Sequence, residues 1–114
     1  MIHYTVQIRV DPPDTAPSGG STGNFVYEPA LLRVERDDTI TWHCASPFTV
    51  SFKERTPIDN VEVFGDATRD ATTKGYSAGP FRIHGERGRY HYAVAVWNGT
   101  RVFVDSACPQ ISVN

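Results

Sequence analysis

Four histidines (His3, His43, His84, His91) and two cysteines (Cys44, Cys108) are the residues best suited to demanding chemistry in this chain. Imidazole and thiolate together suit zinc or copper. A tetrahedral zinc site takes about four converging ligands, usually including a short-spaced pair. His43 and Cys44 are adjacent, but in a strand they point to opposite faces and cannot both hold one ion without a bulge. A metal centre, with copper as the ion, would therefore be atypical and would draw on His43, Cys44, His91 and Cys108. It would make the chain an electron-transfer or metal-handling protein. The plainer reading makes Cys44 a small hydrophobe on the Ile40–Trp42 face and leaves the histidines facing solvent. Whether Cys44 and Cys108 are bonded stays open.

Acid–base chemistry has one candidate region. Residues 53–79 carry Glu54, Asp59, Glu62, Asp66 and Asp70, interleaved with Lys53, Arg55, Arg69 and Lys74. Paired carboxylates can act as acid and base, but these charges alternate in sign with no apolar surroundings to raise a pKa, as on a solvated loop. There is no Gly-x-Ser-x-Gly elbow, and Ser18-Gly19-Gly20-Ser21 is linker-like rather than a phosphate cradle. Asn98-Gly99-Thr100 matches a glycosylation sequon but sits where a tight turn is expected. Trp97 beside that turn lies on the odd-numbered face with His91 and Ala93. An aromatic among small residues suits an interface. No catalytic constellation is present, and the chain is read as a non-enzyme.

The elements that would position these residues are strands. Tyr4, Val6, Ile8 and Val10 alternate with His3, Thr5, Gln7 and Arg9, giving one buried and one wet face. Residues 11–24 are rich in Pro, Gly and Ser and read as a mobile loop. After Phe25 to Tyr27 and a break at Pro29, further strands follow at 31–34, 39–44 after the Asp37-Asp38 turn, 48–52, around Phe81 and Ile83, 90–96, 102–104 and 111–113. Asn98-Gly99 between alternating runs is a strong hairpin signal. The 53–79 segment holds only Val61, Val63 and Phe64 as an apolar group and reads as a long irregular loop. Its length makes it a candidate binding loop. Seven or eight short strands without helical periodicity predict an all-β, antiparallel sandwich or barrel in a single domain, 1–114.

Composition narrows the classes further. The chain has 114 residues, which suits one domain. By area scaling it can bury about two thirds of its surface, so it needs no metal or disulfide merely to fold. A net charge of −2 argues against nucleic acid as a partner. No apolar run approaches a membrane span. Met1 as a native start implies the cytoplasm, whereas Met1 in place of a removed leader implies export.

The segment LLRVERDDTITWHCASPFTVSF (residues 31–52) resembles a cupredoxin, the Greek-key sandwich of the blue copper proteins. The shared pattern is an apolar strand, an acidic turn before Thr, an alternating strand with an aromatic, and a Pro-containing loop. GRYHYAVAV (88–96) is similar to the family's Gly-x-Tyr strand, and the chain end to its closing strand. The resemblance implies a cupredoxin-like fold without its copper. Phe48 stands where the family has its first His, Val94 where it has the Cys, and Trp97 where it has the second His, with no later Met. An immunoglobulin-like sandwich is the alternative, since Glu86-x-Gly88-x-Tyr90-x-Tyr92 is similar to a tyrosine-corner strand, although Cys44 follows Trp42 there. The implied function is a copper-free interaction or assembly module, binding a protein partner or itself through Phe48, Trp97 and Asn98, with no cofactor.

Overall fold

Alternation of apolar and polar residues is translated directly into alternation of burial. In Thr39–Cys44 every even residue (Ile40, Trp42, Cys44) is buried, and in Phe48–Phe52 so are Phe48, Val50 and Phe52. The computed structural model describes residues 2–11, 24–67, 75–97, 99, 102–105 and 109–114. In chain order the strands are β1 (His3–Asp11), β2 (Asn24–Glu28), β3 (Leu31–Val34), β4 (Thr39–Cys44), β5 (Phe48–Phe52), β6 (Glu62–Phe64), β7 (Asp66–Ala67), β8 (Tyr76–Arg82), β9 (Gly88–Trp97), β10 (Val102–Val104) and β11 (Gln110–Val113). No helix occurs among the described residues.

Two sheets face each other across one core. The first runs β2-β1-β4-β8-β7 and the second β3-β11-β9-β5-β6. The long strand β9 takes β5 along one edge. Along the other it takes β11 opposite His91 and, further on, β10 opposite Trp97. Both sheets are mixed, because β1 pairs β4 in parallel and β3 pairs β11 in parallel. This corrects the expectation of a purely antiparallel arrangement. Period-two alternation reports which face is buried and carries no information on strand direction.

The chain crosses between the sheets five times, after β2, β3, β4, β6 and β8. At the β6–β7 crossing the Gly65 amide bonds the Phe48 carbonyl at 2.9 Å. A Cβ at Gly65 would stand 2.3 Å from the Phe48 ring, so this close approach requires glycine. The 53–79 segment is thus not one irregular loop. It contains β6, β7 and the start of β8, while Pro57 and Ile58 are fully buried. These strands escape a periodicity reading because β6 buries one residue, Val63, β7 buries none, and β8 contains Gly79-Pro80. With β2, the strands β6 and β7 bring the total among the described residues to eleven where seven or eight are expected. In the 11–24 segment, Asp11 ends β1 and Asn24 starts β2, and residues 12–23 lie outside the described residues.

Trp42 is the centre of the core. From β4 it meets Phe81 of its own sheet at 6.0 Å between ring centroids, and Phe52 and Tyr92 of the facing sheet at 6.0 and 5.7 Å. The contacts to Phe52 and Tyr92 are edge-to-face, the arrangement favoured by aromatic quadrupoles. A second knot lies at the β3–β4 turn. Asp38 is buried and accepts the Ile2 amide at 2.8 Å and the Glu35 amide at 2.9 Å. Its own amide and carbonyl bond Glu35 and Ile83. Asp37 takes φ 78° at the third position of this turn, where a type II turn demands a positive φ. It pairs with Arg82, an exposed contact of small energetic weight. The Tyr90 hydroxyl donates to the Glu86 carbonyl at 2.5 Å, the contact expected of a tyrosine corner.

Two predictions follow from these knots. Trp42→Ala should destabilise the fold by about 3–5 kcal/mol in urea denaturation, and a loss below about 1 kcal/mol would show that Trp42 does not join the sheets. The Glu35 amide, followed by the Ile2 amide, holds the Asp38 carboxyl below its ordinary value of 3.8, against the opposing effect of burial. A depressed native pKa favours folding above the unfolded-state pKa and loses that contribution as pH falls through the native one. The stability gap between wild type and Asp38→Asn should therefore be constant from pH 7 to about 5 and close below about 4. A gap that widens on acidification would contradict the assigned contacts.

Candidate functional site

The interior is filled rather than pocketed. Phe48, expected on a contact surface, is 3% exposed and belongs to the core, which removes it from any interaction surface. The reason is its place as the first inward residue of β5, opposite Val96 and under Gly65. Val94 is likewise buried. The polar groups inside are tied up structurally. Tyr27 Oη donates to Asp105 Oδ2 at 2.5 Å, which supports a carboxylate that is 6% exposed. Burial pushes the Tyr92 phenol up to about 12, and the nearby Asp105 carboxylate acts in the same direction. The Trp42 indole N–H opposes the rise by more than Asp105 adds to it, yet finds no acceptor of hydrogen-bond geometry among the described residues.

Among the described residues, the candidate metal ligands are not brought together. His43 lies on the outward face of β4, with Nδ1 3.0 Å from Ser77 Oγ. Cys44 points inward as a free, buried thiol. His91 lies on the outward face of β9 in the other sheet. The whole thickness of the two sheets, spaced about 10 Å apart, separates the two imidazoles. Cys108 lies outside the described residues. The acidic candidates are also dispersed. Asp59 pairs with His84 at 2.6 Å, Glu62 and Asp66 border a groove beside β8, and Asp70 lies outside the described residues.

What the fold does assemble is an apolar outer face on the second sheet. Inward placement of Val50, Val63, Val94, Val96 and Phe103 turns their neighbours outward. Strand register then aligns Val104, Ala95, Thr49 and Phe64 in one row across β10, β9, β5 and β6, with Trp97 opposite Val102 beside it. Phe64 is 61% exposed, Val102 52%, Trp97 51% and Val104 47%. Between these large side chains lies a floor of small, half-buried residues, Ala93, Ala95, Thr49 and Ser51. The exposure of Trp97 agrees with its sequence reading, and Asn98 lies outside the described residues. Sequence reasoning missed Phe64, Val102 and Val104. In Val102-Phe103-Val104 all three residues are apolar, so alternation alone cannot say which faces water.

No protein-family model matches the chain, and no curated protein matches it.

Cys44 supplies a check on the closed interior. Burial pushes its thiol pKa up, and the Ser46 and Ala45 amides offset this only in part. Peptide mapping after iodoacetamide treatment should find Cys44 alkylated at least ~100-fold more slowly in the native than in the urea-unfolded protein, since the reagent must await opening. Equal rates would contradict a packed interior.

Proposed function

We propose that this chain is a non-enzymatic, copper-free cupredoxin-like module that assembles through the outer face of its second sheet. The fold assignment draws support from two facing β-sheets that share one hydrophobic core. The acidic Asp37-Asp38 turn ahead of Thr39 supports the resemblance. The Tyr90 corner is a feature of the immunoglobulin-like alternative. Phe48 and Val94, at positions corresponding to copper ligands, are apolar and buried. Such side chains supply no imidazole or thiolate.

The observation that carries the functional reading is the exposed apolar face itself. Four large apolar side chains stand about half exposed or more on one continuous surface of four strands. Isolated exposed hydrophobes are ordinary, whereas a contiguous group marks an interaction site. The shape suggests the occupant. Trp97, Val102, Val104 and Phe64 are knobs around a shallow floor of Ala93, Ala95, Thr49 and Ser51, so one patch carries both the projections and the depression that receives them. A second copy turned by a two-fold rotation can place its knobs in that floor, as an isologous interface requires. Trp97 is the expected anchor, because tryptophan is prominent among interface hot spots.

Sedimentation velocity tests this directly. Wild type should shift from monomer to dimer as concentration rises toward about 1 mM, while Trp97→Asp and Phe64→Asp should each weaken association by at least ~10-fold. A wild type that stays monomeric throughout, or variants that associate as wild type does, would overturn the proposal.

A further inference from the structure

The other end of the same outer face has a different character. Lys53, Glu54 and Arg55, just beyond β5, and Arg89, Tyr90 and His91 of β9 line a cavity of about 330 Å³. Four of these six side chains are cationic or can become so, and Glu54 is the one acid. The whole chain carries a net charge of −2, so this concentration of positive charge is local.

The two arginines are held in place by groups other than carboxylates. The Arg55 guanidinium lies 4.5 Å from the centroid of the Tyr90 ring, and that ring is fixed by its hydroxyl bond to Glu86. Arg55 also donates to the Arg89 carbonyl at 3.5 Å. Arg89 donates to Gln110 Oε1 at 3.4 Å, and the Lys53 amide bonds the His91 carbonyl at 3.2 Å, tying the segment after β5 to β9. Among the described residues neither Arg55 nor Arg89 has a carboxylate partner. A guanidinium stacked on an aromatic ring and one steadied by an amide both keep donors available for an oxyanion. Arginine's planar fork suits bidentate binding of carboxylate or phosphate. The same positive surroundings disfavour a metal cation at His91.

We infer that this cavity is a binding site for a small ligand bearing a carboxylate or phosphate group. Arg55 and Arg89 grip the oxyanion, the buried Tyr90 ring backs the Arg55 guanidinium, and Lys53, Glu54 and His91 complete the lining. The cavity volume lies at the lower end of the range for small-molecule sites. The site is independent of assembly through Trp97, since none of its residues belongs to the apolar row.

The test is a titration of the ¹⁵N-labelled full chain with inorganic phosphate and, separately, with acetate, each at ionic strength fixed by chloride. At least one probe should produce saturable shifts of the Lys53, Arg55, Arg89 and His91 amides with a Kd near ~1 mM. Saturation by phosphate assigns a phosphate-bearing ligand, and saturation by acetate alone a carboxylate. Arg55→Gln and Arg89→Gln should each raise that Kd at least ~5-fold, with His91→Ala as a further variant on an exposed position. Trp97→Asp should leave it unchanged. Failure of both probes to saturate, or unaltered affinity in the arginine variants, would overturn the inference.

Discussion

Trp42 must remain in contact with rings from both sheets, and much of the structure is arranged to keep it there. Its neighbours Phe81, Phe52 and Tyr92 come from three different strands, β8, β5 and β9. Each of those strands is placed by its own register. β4 and β8 are paired from Thr39–Arg82 to Cys44–Tyr76, and β5 and β9 from Phe48–Val96 to Phe52–Tyr92. The Asp38 knot fixes the start of β4 against Ile2 and Ile83, so the indole enters the core at a set depth. Burial of this aromatic group favours holding the two sheets together, and it also leaves the indole N–H without a partner among the described residues. An unmet donor in the core carries a cost of about 1–3 kcal/mol, smaller than the loss expected when a buried aromatic is removed.

A solid interior determines where function can lie. Phe48, Val94 and Val96 belong to one packed core, and the buried Asp105 carboxylate is bonded by the partly buried Tyr27 hydroxyl. Chemistry is therefore displaced to the outside, where the two outer faces differ. The outer face of the second sheet is divided along β9. Its Trp97 end is apolar and its Arg89 end is cationic, because the outward residues of one strand change from Arg89 and His91 through Ala93 and Ala95 to Trp97. In the account proposed here, the apolar end meets a second copy and the cationic end takes a small oxyanion.

Much of this was legible in the sequence, and the gaps have identifiable causes. The alternation in residues 3–10, 39–44, 48–52 and 90–96 gave strands whose buried faces agree with the structure, because each has three or four apolar residues in phase. Asp37-Asp38 marked a turn correctly, since side-chain acceptors and a positive φ are both favoured at such residues. Trp97 was identifiable as exposed from its phase with His91 and Ala93. Phe48 was misplaced because it was judged by its position after a Pro-containing loop rather than by its phase with Val50 and Phe52. The strands within residues 62–67 were invisible because they are two or three residues long and are held by pairing with distant partners. The cationic cavity went unrecognised because Arg55 and Arg89 are far apart in sequence, and only the β5–β9 register brings them together.

The most direct test of the central claim is site-specific photo-crosslinking of the purified chain from the two outer faces. A photoreactive residue replaces Thr49, in the middle of the apolar row on β5, or Thr41, on the outer face of β4. The account predicts covalent dimers from the Thr49 position and none above background from Thr41. Equal yields from both positions, or dimers only from Thr41, would contradict it.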